Sequence, residues 1–127
     1  PNPLAKAGAT LDPEQYGWMR ADGELPDDPI LHQCVLTYAS DMTLLDTSML
    51  RHGGSWFDPT LFMASLDHAM WFHRPMASDE WHLQTFTCHG LMSSRGVSVG
   101  YVFTRDGTHV ATVVQEVLLR KLRRLPR

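Results

Sequence analysis

The chain has 127 residues, 43% of them apolar and 20% charged, enough for one domain with a proper core and ordinary for a globular protein in water. No apolar run approaches the roughly 18 residues needed to span a bilayer, which argues against a membrane role. The net charge of -3 conceals a basic end (Arg120, Lys121, Arg123, Arg124, Arg127), without which six positive charges face fourteen negative ones. Broad nucleic-acid binding needs a basic face rather than a basic tail, so it is excluded, and the tail reads as a solvated terminus.

Residues 1–13 are rich in Pro, Ala and Gly without an apolar period and read as a linker or tail. The chain opens Pro1-Asn2-Pro3 with neither an initiator methionine nor a signal peptide, which points to part of a longer cytoplasmic protein. A short extended piece follows over Tyr16 to Ala21, then a loop of acids and prolines to Pro29. Asp28 before Pro29 predicts a helix start, since the carboxylate accepts from free backbone N–H groups and proline fits the first helical position. The helix should bury Leu31, Val35, Tyr38, Met42, Leu45 and Met49 and end before Gly53-Gly54. Asp41 then lies roughly 80° from the centre of that stripe and Asp46 roughly 60° away on the other flank, and geometry does not choose between them. Cys34 and Cys88 are too few for a disulfide framework or a zinc motif and read as small core residues.

From Phe62 onward the pattern is that of strands. Val97, Val99, Tyr101 and Phe103 alternate with Gly96, Ser98, Gly100 and Val102, and Asp106-Gly107 supplies a two-residue hairpin turn. That turn pairs Ser98 with Gln115, Gly100 with Val113 and Gly96 with Val117. The glycines leave room for the helix to approach this face, so Gln115 should point at the helix. An antiparallel sheet wrapped round one long helix, an α+β domain, is the economical assembly. A carboxylate at the edge of a buried stripe and an amide on an apolar strand face are each costly unless partnered, and Asp41 and Gln115 would relieve one another. Taken alone, the pair reads first as a polar pin between helix and sheet.

One segment carries more. Ser65-Leu66-Asp67-His68-Ala69-Met70-Trp71-Phe72-His73-Arg74-Pro75, followed by Asp79-Glu80-Trp81, joins Ser40-Asp41 upstream and Val114-Gln115-Glu116 downstream. This set resembles the carboxyl-terminal half of TesB-like acyl-CoA thioesterases, the acyl-CoA thioesterase II family, from about Trp18 to Arg120. The resemblance implies a hotdog fold over residues 14–127, as the second half of a double-hotdog protein. It implies hydrolysis of fatty acyl-CoA to free acid and coenzyme A without a cofactor. By motif, Asp41, Ser65 and Gln115 would hold the attacking water, Asp41 as its base. The family commonly has threonine where Ser65 stands; serine keeps the hydroxyl and loses the methyl that restricts its rotamer. The partner would be a second copy of the chain or an N-terminal hotdog domain.

Other readings have weaker footing. Gly96-Val97-Ser98-Val99-Gly100 matches G-x-S-x-G, and His52-Gly53-Gly54-Ser55 resembles a lipase oxyanion loop, but a nucleophile elbow needs a strand, a sharp turn and a helix, and here a strand continues. His68 and His73 are five apart and His82 and His89 seven apart, so each pair splits across a strand and makes no metal site. The histidines of 67–75 read as hydrogen-bonded or pocket-lining groups, and Trp71, Phe72 and Trp81 as core or subunit-contact rings. Arg74 and Arg95 are weak candidates for coenzyme A phosphates. The rival functions are a non-catalytic acyl-CoA-binding half and a hotdog hydratase or dehydratase that works through a histidine.

Overall fold

The computed structural model of the protein describes residues 14–51 and 57–122. The expected linker, the His52 to Ser55 segment and the basic residues Arg123, Arg124 and Arg127 lie outside the described residues. The elements are β1 Glu14–Met19, α1 Pro29–Arg51, β2 Leu61–Ser65, β3 Ala69–Phe72, β4 His82–Met92, β5 Arg95–Thr104 and β6 His109–Lys121. The strands form one antiparallel sheet in the order β1-β4-β5-β6-β2, with β3 also on β6. The helix packs against β4, β5, β6 and β2, giving the hotdog architecture.

The helix begins where the sequence predicts. Asp28 Oδ1 accepts from the backbone N–H of Ile30 at 2.9 Å and of Leu31 at 3.4 Å, satisfying donors that have no intrahelical partner. Its buried face, however, differs from the predicted stripe. His32, Leu36, Ser40, Leu44, Thr47, Ser48 and Met49 are buried, while Tyr38 is 72% and Met42 53% exposed. The cause is close packing on β5: a Cβ placed on Gly96 would stand 2.9 Å from Ser48 Oγ, so the helix turns small residues to the sheet. Ser48 Oγ meets Ser98 Oγ at 2.7 Å in that contact. Gly100 serves a different purpose, since a Cβ there would strike Phe86 and Val113 side chains at 2.7 Å rather than the helix.

Three apolar clusters follow the helix. Leu36 packs with Val102, Val110 and Ala111, Leu44 with Phe86 and Val113, and Met49 with Val117 and Leu119. Cys88 is buried as expected, but Cys34 is exposed, on the helix side away from the sheet. Trp71, Phe72 and Trp81 are 53%, 38% and 45% exposed, so they are not core rings of this domain.

The β5–β6 register is the predicted one: Ser98 faces Gln115, Gly100 faces Val113 and Gly96 faces Val117. The tip is not. Thr104 N donates to Thr108 O at 3.0 Å around a three-residue loop, Arg105 to Gly107, with Gly107 at φ 87°. A register shift between Val102 and Phe103 then absorbs the difference, so the longer loop and the bulge cancel further along the strands.

His82, 2% exposed, donates from Nδ1 to Glu80 O at 3.1 Å and accepts at Nε2 from Gln84 Nε2 at 3.2 Å. Burial disfavours the imidazolium and lowers its pKa from 6.5. The unfolded chain therefore takes up this proton at a higher pH than the folded one. His82 costs no stability above about pH 6.5, and stability falls as pH drops from there towards the folded value. Denaturant midpoints between pH 8 and 5 should decline more steeply for the parent than for His82→Gln; parallel profiles would remove His82 as the cause.

Candidate active site

β2 and β3 lie end to end along one edge of β6. Ser65 pairs with Val117 and Ala69 with Val114, so Leu66, Asp67 and His68 face only Gln115 and Glu116. The extra residue is a bulge. Leu66 N donates to Glu116 O at 2.9 Å, and the Glu116 backbone N–H turns to Asp67 Oδ1 at 2.7 Å. Asp67 thus replaces a missing strand carbonyl and holds the break open. In a regular strand residues three apart point to opposite faces; the bulge brings Ser65 and His68 to the same side.

That side faces the helix, and Gln115 points there as predicted. Completely buried, it donates from Nε2 to Ser65 Oγ, and its Oε1 stands 2.9 Å from His68 Nδ1. His68 Nε2 is 3.0 Å from Ser40 Oγ, on the inner face of α1. Asp41 Oδ1 lies 3.8 Å from His68 Nδ1, with the carboxylate side chain 55% and the imidazole 20% exposed. The expected contact between Asp41 and Gln115 is absent: Gln115 bonds Ser65 and His68, and His68 stands next to the acid. Asp46, the other acid flanking the predicted stripe, is buried, at 3% exposure.

All three predicted residues thus gather at one place, joined by two the sequence reading did not assign to the site, His68 and Ser40. The constellation offers a half-exposed carboxylate beside a hydrogen-bonded polar row that runs from buried Ser40 and Gln115 to exposed Ser65. Such a carboxylate can take a proton, and the Ser65 hydroxyl, braced by the Gln115 amide, can hold a water or a carbonyl oxygen. Among the described residues no group of three or more His, Cys, Asp or Glu side chains could hold a metal ion. His73 points away from the site, its Nε2 2.9 Å from Thr112 Oγ1, and His89 is exposed while His82 is buried. Ser98 sits inside β5 against Ser48, without the strand-turn-helix setting of a nucleophile. Arg74 donates to His109 O at 2.6 Å and Arg95 lies 3.7 Å from Glu116. Cavities of about 470 and 640 Å³ lie around Pro75 and Met76, and neither is lined by Asp41, Ser65 or Gln115. No helix among the described residues is long and apolar enough to cross a membrane.

Comparison with known proteins points the same way. A family model described as acyl-CoA thioesterase matches residues 2–118. Acyl-CoA thioesterase 2 of Haemophilus influenzae is 36% identical over 113 residues, covering 89% of this chain and 40% of that protein. Human acyl-coenzyme A thioesterase 8 is 37% identical over 121 residues, covering 94% of this chain and 37% of that protein. The crystal structure of acyl-CoA thioesterase II TesB2 from Mycobacterium marinum superimposes with a TM-score of 0.80 at 41% identity, covering 93% of this chain and 45% of the other. The chain therefore spans less than half the length of these relatives. A hot-dog-like protein from Thermanaerovibrio acidaminovorans, 10% identical with a TM-score of 0.64, shares the fold.

Proposed function

The chain belongs to the acyl-CoA thioesterase family, and we propose that it carries the water-activating site of a fatty acyl-CoA hydrolase. The observation that carries this reading is the gathering of Asp41, Ser65 and Gln115 at the break between β2 and β3. Asp41 takes a proton from a water whose oxygen accepts from the Ser65 hydroxyl, which Gln115 in turn holds in place. The water oxygen bonds to the thioester carbon, the carbonyl electrons move to its oxygen, and collapse of this intermediate breaks the C–S bond. The products are the free acid and coenzyme A, whose thiolate leaves without a covalent acyl-enzyme. The half-exposed carboxylate suits the task, since it stands beside His68 and is open to solvent. Thiol release from short, medium and long acyl-CoA esters tests the reading; a folded chain inert on all of them, even when joined to a partner domain, would overturn it.

The hydratase reading is less well supported. Both ring nitrogens of His68 are engaged, by Gln115 and Ser40, so neither is presented to a substrate.

The non-catalytic half keeps one observation in its favour, the apolar side of α1 turned away from the sheet. Ile30, Tyr38 and Met42 are 70%, 72% and 53% exposed there, beside Asp41. We propose that a second hotdog domain, an N-terminal one or another copy of this chain, covers this side as half of a double-hotdog assembly, residues 14–127 being the second domain. Gel filtration of the chain should show a dimer, and Tyr38→Glu with Met42→Glu should give a folded monomer; a parent that is monomeric at high concentration would rule out self-pairing.

A further inference from the structure

Ser40, His68, Gln115 and Ser65 form one chain of hydrogen bonds from the inner face of α1 to the break in the sheet edge. The protons available to it are few, so the state of one member constrains the rest. An amide has a carbonyl at one end and an NH2 at the other, and turning it over reverses both ends. With a proton on His68 Nδ1, the ring donates to Gln115 Oε1, the NH2 faces Ser65, and Ser65 Oγ accepts. The hydroxyl hydrogen of Ser65 is then left for whatever occupies the site. With the proton on Nε2 alone, Nδ1 accepts from the NH2, Oε1 faces Ser65, and the serine hydrogen is consumed inside the chain. The imidazole, which touches no substrate, thereby decides whether Ser65 acts as donor or acceptor.

The surroundings select the first state. Asp41 Oδ1 is 3.8 Å from Nδ1, and a carboxylate favours N–H on the nitrogen nearest to it. Ser40 is compatible: its single hydroxyl hydrogen serves either His68 Nε2 at 3.0 Å or Thr37 O at 2.9 Å. If Nε2 also carries a proton, it donates to Ser40, Ser40 donates to Thr37, and Nδ1 still donates to Gln115. Gln115 is completely buried, so a turned amide finds no solvent to repair a mismatch. Asp67, the remaining carboxylate beside His68 in the chain, is engaged by the Glu116 N–H, and Glu116 lies beside Arg95.

We propose that His68 is a positioning residue: by donating from Nδ1 to Gln115 it fixes the amide and makes the Ser65 hydroxyl the donor that the site presents. In catalysis, which rests on the thioesterase reading above, that donor would hold one lone pair of the water while Asp41 takes a hydrogen, leaving the other lone pair for attack.

Two measurements separate this proposal from that reading. The first needs no turnover: nitrogen NMR of the full chain, labelled in histidine, reads which ring nitrogen of His68 bears hydrogen. Hydrogen on Nδ1, with or without one on Nε2, supports the proposal; hydrogen on Nε2 alone overturns it, whether or not the protein is a thioesterase. The second uses thiol release. His68→Asn places an amide NH2 near the Nδ1 position and should keep kcat within about 10-fold of the parent. His68→Gln reaches only towards Ser40 and should lose about 10²-fold in kcat with KM unchanged. Equal losses in two folded variants would overturn the proposal. A parent without turnover, even when joined to a partner domain, whose His68 carries hydrogen on Nδ1 would sink the thioesterase reading and leave the positioning role standing.

Discussion

Asp41→Asn is expected to lower thiol release from acyl-CoA by about 10²–10⁴-fold while leaving the domain folded. The substitution keeps shape and size and removes the capacity to take a proton together with the charge that faces His68 Nδ1. Asp41 is suited to so clean a test because its side chain is 55% exposed and lies outside the three core clusters. Exposed changes of this kind alter stability by roughly 0.5 kcal/mol or less, so the variant should melt close to the parent. Loss in kcat with KM held would mark a group engaged in the transition state rather than in uniform binding. A folded Asn variant as active as the parent would exclude Asp41 as the base and move attention to the row behind it.

What could be read from residues alone divides along a physical line. Local chemistry was legible: the Asp28 cap, the alternation that turns Gln115 inward, and the Asp-Gly signal that put Ser98 opposite Gln115. The register survived even though the loop is a residue longer than expected, because the bulge at Val102 and Phe103 compensates. The rotation of the helix was not legible. Apolar periodicity assumes that the most apolar face is the buried one, whereas here close approach to Gly96 selects Ser48 for the inside and leaves Tyr38 and Met42 outside.

His68 escaped for a different reason. Period-two reasoning sets Ser65 and His68 on opposite faces, and only the extra residue opposite Gln115 and Glu116 brings them together. The trace of that bulge in the sequence is Asp67, whose side chain accepts the Glu116 N–H in place of a strand carbonyl. An acid next to a histidine in an otherwise apolar edge strand is weak as a signal of catalysis. It is stronger as a signal that the ladder is interrupted there, and an interruption in an edge strand opens backbone and side chains to a ligand.

The core that holds the two sides of the site together is thin, which makes Leu44→Ala the second large effect expected. Leu44 is completely buried against Phe86 and Val113, with Met70 packed on the same cluster. It lies one helical turn from Ser40 and three residues from Asp41; Val113 lies two residues from Gln115 on the same strand face. Removing the isobutyl group loses its transfer free energy and leaves a cavity that the sheet cannot close, because Phe86 and Val113 are already pressed against Gly100. The expected loss is about 2–5 kcal/mol, a large part of the roughly 5–15 kcal/mol that holds a domain together. Denaturant unfolding should show the midpoint falling with little change in slope. Below that midpoint Asp41, Ser65 and Gln115 are all still present, so turnover per folded molecule should fall far less than in Asp41→Asn. A Leu44→Ala variant with parental stability would mean that the helix does not rest on this cluster, and the placement of Asp41 beside His68 would need another support.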